Sequence, residues 1–367
     1  MGSVKKRYNY RIYPNKNQKE YLESIFSINR FVWNQFLAAN IRYYNHSKKF
    51  HFFNEMSSIL TECKNIEGYE WLKTVPSSSL QQTLKHLEKA IRDCIKKKKG
   101  VPKFKRKYSK DSFTLVGDHY SIKENKLHIA KLKSLMEVKW HRELPSKPSS
   151  CTIIKDNIGR YFVSFVVEVV PKIVPPSISK IGIDLGIETF CSTSDGKKYK
   201  LPDLKLIYKK VKKQQKELSR KKKGSNNFKK QKLKLAKTNM KIVDIRIDFH
   251  NKLVSTLINE NQVISIETLK VKEMVMKGNK LLSRLISQQG WSSFITKLIN
   301  KANECGRIVH KVDTYYPSSQ LCSNCDYKWG RLNLSIRTIK CPECLVEHDR
   351  DINAAKNMLT NYLKTVQ

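Results

Sequence analysis

Ile181-Gly-Ile-Asp-Leu-Gly-Ile-Glu-Thr-Phe-Cys-Ser-Thr-Ser-Asp195-Gly196 decides the architecture of the second half of this chain. An apolar strand ends in an acid, Asp184, and a second strand closes at an Asp-Gly hairpin turn. Working outward, Gln262-Val-Ile-Ser-Ile-Glu267 is a second strand that also ends in an acid. Trp291 to Cys305 has helical spacing with Gly306 as its stop, and Arg307 to Val312 is again a strand. A last helix is predicted from about Asp351 to Thr365.

Between that last strand and the last helix stand Cys322-Ser-Asn-Cys325 and Cys341-Pro-Glu-Cys344, with fifteen residues between the two pairs. Each Cys-x-x-Cys offers two thiolates from one turn, about 3.7 Å apart when both bind tetrahedral zinc. Four sulfurs close the coordination of a structural Zn²⁺ and leave no open catalytic position. Four of the chain's nine cysteines fall in this pattern, and a disulfide scaffold does not suit a long lysine-rich chain. The element order is strand, hairpin strand, helix, strand with acid, helix, strand, helix with acid. That is an RNase H-like α/β domain with a zinc module inserted before its final helix.

Lys and Arg total 72 against 32 Asp and Glu, a net charge of +40 spread along all 367 residues. Such a chain repels itself unless a polyanion neutralises it, and nucleic acid is the natural partner. A membrane is the rival polyanion, but no apolar run approaches the roughly 18–20 residues of a span. Met1-Gly-Ser-Val-Lys-Lys-Arg7 lacks the apolar core of a signal peptide. A soluble, cytoplasmic, nucleoid-associated protein is expected, without a membrane partner.

In the first half, Tyr8 to Tyr13 alternates as a strand that Pro14 ends, and Leu22, Ile25, Phe26, Val32, Trp33, Phe36 and Leu37 recur at helical spacing. A second helix is announced at Pro76 and carries Leu80, Leu84, Leu87, Ile91 and Ile95. It runs into Lys96 to Lys107, where Phe104 and Tyr108 interleave with cations as in a backbone-tracking loop. From Phe113 to Val170 short strands predict a small β-barrel or sheet, with turns at Glu124-Asn125 and at Asp156 to Gly159. Pro171 to Pro176 reads as a linker. Lys205 to Lys241 holds sixteen Lys/Arg and one acid, Glu217, and is helical with a break near Gly224. A helix from about Lys237 to Ile258 follows. The candidate nucleic-acid contacts are Lys96, Lys97, Lys98, Lys103, Lys105 and Arg106, together with Arg220, Lys221 and Lys222.

Asp184, Glu267 and the Asp349/Asp351 pair each stand at the edge of an element. Buried acids are costly unless paired or metal-bound. Three of them in this order, inside so basic a chain, point to a carboxylate cluster holding two catalytic Mg²⁺ ions at a phosphodiester. On a helix, residues two apart point roughly 200° away from each other, so one of Asp349 and Asp351 faces the sheet. Ala355, Met358 and Tyr362 mark the inward face on the side of Asp351. Asp349 is left as a cap or a partner for Arg350. His250 is read as structural, and no His-x-His pair occurs that would serve a tyrosine transposase.

At these residues the chain resembles the TnpB proteins, transposon-encoded relatives of type V CRISPR nucleases. The matching pieces are Tyr10-Arg-Ile-Tyr-Pro14 with Gln18, Arg30-Phe-Val-Trp-Asn34, Leu80-Gln-Gln, Lys89-Ala90 and Pro102-Lys-Phe104. Further along come Gly182-Ile-Asp-Leu-Gly186, Asp248-Phe-His-Asn-Lys252, Ile266-Glu267, Pro317-Ser-Ser-Gln-Leu-Cys322 and Asp349-Arg-Asp-Ile-Asn-Ala-Ala355. The resemblance implies a multidomain α+β protein. A wedge β-barrel would occupy residues 1–13 and 111–176, with a helical recognition domain inserted at 14–110. A RuvC-like nuclease would occupy 177–314 and 348–367, interrupted by a zinc-binding target-nucleic-acid module at 315–347.

It implies further an RNA-guided DNA endonuclease with a transposon-derived guide RNA, a target DNA with an adjacent motif, and a transposase encoded by the same element as a further partner. The metal ligands would be Asp184, Glu267 and, as the second acid of Asp-Arg-Asp, Asp351. The alternative is an RNA-guided repressor or transposition accessory protein with little cleavage. One departure stands out. The family often has Gly after each Cys-x-x-Cys, where this chain has Asp326 and Leu345.

Overall fold

The computed structural model describes residues 3–107, 110–170, 174–330, 332–333 and 335–366. Met1 and Gly2, Tyr108 in the basic loop, and residues 171–173 of the expected linker lie outside this set. The chain divides into two compact units, residues 1–170 and 171–367.

In the first unit, strand β1 (Val4–Ile12) ends immediately before Tyr13-Pro14. Asn15 then caps helix α1 (Lys16–Ser47): its side chain accepts from the Gln18 N–H at 2.9 Å, while Gln18 Oε1 accepts from the Asn15 N–H at 2.9 Å. The apolar stripe read from the sequence is the buried face of α1, and Asn29 and Asn40 are buried along it. Helix α2 (Phe53–Cys63) was not expected. It is short: Met56 and Leu60 are buried, and Phe53 and Cys63 pack half-buried against the same core. Helix α3 (Ser77–Ile95) starts where Pro76 placed it, and Thr83 Oγ1 donates to buried Asn29 Oδ1 at 2.6 Å to fix it against α1.

The expected strands are β2 (Asp111–Leu115), β3 (Tyr120–Lys123), β4 (Lys126–Ile129), β5 (Met136–Lys139), β6 (Ser150–Lys155) and β7 (Tyr161–Val169). With β1 they form an antiparallel sheet in the order β2-β6-β7-β1-β5-β4-β3, and β1 pairs along its full length with β7. Both predicted turns are present. Glu124 and Asn125 have φ of 48° and 58°, as a tight hairpin requires, and Gly159 has φ of 82°. Sheet and helices share one continuous core.

The second unit is built on the order β10-β9-β8-β11-β12. Strands β8 (Lys180–Asp184), β11 (Val263–Glu267) and β12 (Ile308–Val312) run parallel, while β9 (Cys191–Thr193) is antiparallel to β8 and is followed by β10 (Lys198–Tyr199). The strands β8, β9, β11 and β12 follow one another as expected from the sequence, with β10 added after the Asp195-Gly196 turn. The strand period of two divides the faces. Ile181, Ile183, Ile264 and Ile266 join the core with helices α5 (Asn226–Glu260) and α8 (Trp291–Cys305). On the other face Gly182 meets helix α9 (Arg350–Val366), and Ser265 Oγ donates to the Met358 carbonyl at 2.6 Å.

The basic segment is helical with its break where expected: α4 (Lys205–Ser219) packs on α5, with Gln231 Nε2 donating to Glu217 at 2.8 Å. One expectation changes. Helix α5 begins at Asn226, capped by Ser225, rather than near Lys237, so one helix carries both basic residues and the apolar face. Helices α6 (Val271–Lys277) and α7 (Lys280–Gln289) were also not expected. No helix among the described residues is long and apolar enough to cross a membrane.

Candidate active site and metal centre

The zinc module is two matched knuckles. The Cys322 N–H donates to Tyr327 O at 2.8 Å and the Asp326 N–H to Cys322 O at 3.0 Å. Likewise the Cys341 N–H donates to Val346 O at 2.9 Å and the Leu345 N–H to Cys341 O at 3.0 Å. The four Sγ atoms lie within 4.8 Å of one another, and Cys322–Cys344 and Cys325–Cys341 are each 3.6 Å apart. Sulfurs at this spacing, at the corners of one small volume, fit a tetrahedral Zn²⁺. The Val346 N–H draws the Cys344 thiol down to about 6. His348 Nε2 lies 3.1 Å from Cys322 Sγ, where a ring N–H can donate to a thiolate. The residues that replace the usual glycines, Asp326 and Leu345, have φ of 59° and 60°. The turn therefore keeps the left-handed geometry that glycine favours, and the side chains bear the strain.

The knuckles are fastened to α9. Asn353 Nδ2 and Asn357 Nδ2 both donate to the Leu321 carbonyl at 2.7 Å, and Asn353 Oδ1 accepts the Ser323 N–H at 2.9 Å. Asn357 Nδ2 also reaches the Ser318 carbonyl at 2.7 Å. Both side chains are buried, one helical turn apart. Their role was not read from the sequence, although two asparagines four apart on an otherwise apolar helix face are a visible signal.

Asp184 and Asp351 line one cleft of about 470 Å³, together with Gly186, Glu188, Ser319 and Arg337 among others. Desolvation, then the nearby charges of Asp351 and Glu267, push the Asp184 carboxyl up to about 7. Burial likewise raises Glu267 at the end of β11. Glu267 is not among the cleft-lining residues, and the three carboxylates do not gather within 4.8 Å of one another as the cysteines do. Oxygen donors that repel one another across a cleft fit hard divalent cations in their chemistry.

Asp349 accepts the Asp351 and Ile352 N–H groups, each at 3.1 Å, and so caps α9. Its ion partner is Lys198 at 2.6 Å, not Arg350. The Arg350 guanidinium donates instead to the carbonyls of Asn333 and Ile336. Arg337 and Glu188 were not read as site residues. Each is an ordinary surface charge until the fold sets it beside Asp351. His250 is buried on α5, its Nε2 3.1 Å from Gln289 O and its ring among Phe190, Phe249 and Phe294.

Of the nucleic-acid candidates, the loop at 96–107 lies in the first unit. The Trp33 Nε1–H donates to Lys103 O at 3.1 Å, Asn34 pairs with both backbone groups of Lys105, and Lys105 Nζ stands 4.2 Å over the Trp33 ring. Lys96, Lys97, Lys98, Lys103, Lys105, Arg106 and Phe104 are solvent-exposed. Arg220, Lys221 and Lys222 are exposed at the turn between α4 and α5, in the second unit.

Three family profiles match the chain: one described as "Probable transposase" over residues 164–277, one as "Cas12f1-like, TNB domain" over 291–358, and one as "Helix-turn-helix domain" over 1–49. The last segment folds here, from residue 3, as β1 followed by α1. A protein of Streptomyces pristinaespiralis, provisionally named an RNA-guided DNA endonuclease, is 34% identical over 98% of this chain and 90% of its own length. Escherichia coli InsQ, with the same provisional name, is 29% identical over 96% and 91%, and the TnpB-like protein L79 of a mimivirus is 26% identical over 96% and 72%. The fold is similar to that of Cas12f1, solved in complex with sgRNA and target DNA. The TM-score is 0.58 at 13% identity, covering 97% of this chain and 98% of that one. With a relative this close over nearly its whole length, the chain belongs to the TnpB family.

Proposed function

We propose that this chain is an RNA-guided DNA endonuclease. The observation that carries the proposal is the convergence of Asp184 and Asp351, from β8 and α9, on one cleft where Asp184 resists ionisation until about pH 7. The names of its relatives and the complex in which Cas12f1 was solved support the nucleic-acid partners, guide RNA and target DNA. In this reading residues 177–314 and 348–367 are a RuvC-type nuclease, and 315–347 a target-strand module held by structural zinc. Residues 1–13 and 111–176 form the wedge, and 14–110 the recognition domain.

Asp184, Glu267 and Asp351 would hold two Mg²⁺, whose chemistry is to lower the pKa of a bound water and neutralise the leaving oxygen of a phosphodiester. The chain's own work is positional. Asp184 is fixed at the end of β8 opposite Ser192 of β9, and β11, paired with β8 up to Ile183, presents Glu267 from the neighbouring strand end. The cap by Asp349 fixes the first turn of α9 and with it Asp351. The basic loop at 96–107 and the turn at 220–222 would hold phosphates as exposed point charges.

The test is to purify the chain, sequence the RNA that accompanies it, and present plasmids matched to that RNA beside a randomised flanking motif. Mg²⁺-dependent cleavage is expected, lost in Asp184→Ala and Glu267→Ala while guide-directed binding persists. Binding without cleavage in the parent chain would replace the endonuclease with a repressor. A sequence-random RNA pool would remove the guide.

A further inference from the structure

The cleft that holds Asp184 and Asp351 also holds a cation of the chain's own. Arg337 stands just before strand β13 (Thr338–Lys340), which pairs with β14 (Glu347–Asp349). Its guanidinium reaches Glu188 Oε2 at 3.0 Å and Asp351 Oδ1 at 3.6 Å. Its carbonyl accepts the Arg350 N–H at 2.8 Å, which tethers it to the first residue of the helix that carries Asp351. The neighbouring guanidinium of Arg350 is engaged by backbone carbonyls. The ion pair on Asp351 therefore belongs to Arg337.

The side chain of Arg337 is 53% exposed and that of Glu188 is 74% exposed, against 20% for Asp351. The arginine and its rim partner can thus move in solvent, while the acid beneath them is held. A guanidinium and a divalent cation compete for the same carboxylate charge, and a cation bound at Asp351 would repel Arg337 at this range. Glu188 offers the displaced guanidinium a place at the rim, already within ion-pair distance.

We infer that Arg337 is an internal counter-ion latch on Asp351: it neutralises the acid when no divalent cation is bound, and is displaced toward Glu188 when one binds, so that it sets the cation affinity of the cleft. This rests on the reading of Asp184 and Asp351 as metal ligands.

The experiment measures Mn²⁺ binding by electron paramagnetic resonance on the full chain, freed of nucleic acid by high salt, with folding checked by thermal melting. Arg337→Ala and Arg337→Gln should each tighten Mn²⁺ binding about threefold to tenfold, while Arg337→Lys, which keeps the charge, stays near the parent. In an Asp351→Ala background the Arg337 substitutions should have no effect. Parent-like affinity in both neutral variants, alongside Mn²⁺ binding that still requires Asp184 and Asp351, overturns the latch and leaves the metal site standing. Mn²⁺ binding that ignores Asp184 and Asp351 overturns both.

Discussion

Gly182 is the point at which the position of Asp351 can be perturbed without touching any charged residue. A Cβ built there would stand 1.9 Å from the Ala355 carbonyl oxygen and 2.8 Å from the Leu359 nitrogen, both backbone atoms of α9. Neither is the free end of a side chain that could rotate away. To restore an ordinary contact, α9 would have to withdraw from β8 by roughly 1.5 Å. Overpacking of this kind costs about 1–3 kcal/mol. At roughly 2–4 °C per kcal/mol for a unit of this size, Gly182→Ala should lower the melting temperature by about 2–12 °C. Asp351 rides on the first turn of the displaced helix, and a misplacement of about 1 Å between catalytic groups costs on the order of 100-fold in rate. The assay pairs a thermal melt with cleavage of a guide-matched plasmid well below the new melting temperature. If Gly182→Ala melts and cuts like the parent, the close approach of α9 to β8 is not what sets the cleft.

Three further outcomes follow from the geometry. Asp351→Ala should eliminate cleavage with little thermal loss, whereas Asp349→Ala, by removing a helix cap worth about 1 kcal/mol, should lower the melting temperature and only weaken cleavage; the opposite ranking would exchange their roles. Leu345→Gly should relieve a left-handed residue whose strain is about 1–2 kcal/mol and, after the added backbone entropy of glycine, hold zinc about twofold to fivefold tighter in a chelator competition, while Leu345→Val should hold it less well. His250, desolvated and beside Lys297 and Arg246, is held down to about 4. The unfolded chain takes up this proton near pH 6.5 and the folded chain does not, so stability should fall as pH drops from 6.5 to 4. The amount is at most about 3 kcal/mol, and denaturant titrations across that range should lose this slope in His250→Gln.

What could be read from the sequence was whatever is encoded locally. Asp184 and Glu267 close apolar runs of strand length, Pro14 and Pro76 bracket helices, and two Cys-x-x-Cys pairs announce one metal site. The helical repeat and the family resemblance together favour Asp351 over Asp349, and in the structure Asp349 caps α9 while Asp351 lines the cleft. The rest depends on distance in space. Helix α2 fully buries only Met56 and Leu60, with Phe53 and Cys63 half-buried beside them, and α6 packs only Val271, Met274 and Val275 part-buried on its core, so their apolar faces are short. Lys198 rather than Arg350 pairs with Asp349 because the β9–β10 hairpin carries it there, 151 residues away in sequence. Arg337 becomes meaningful only once the strand that follows it is laid against the start of α9. The survival of the knuckle turns without glycine could not be foreseen either, since it is a property of φ at Asp326 and Leu345.

The amide clamps of Asn353 and Asn357 hold the first knuckle at its root, and the pairing of β13 with β14 holds the second. The stretch between the cysteine pairs is therefore a bracket fixed at both feet, and it is also held between them: the Trp329 Nε1–H donates to the Ser319 carbonyl at 3.2 Å, and the carbonyls of Asn333 and Ile336 receive the Arg350 guanidinium. Arg337 hangs from that bracket over the acids. A change of charge at Arg337 alone would retune the cleft from outside it, because its side chain is exposed while the backbone it hangs from is tied to α9 through Arg350.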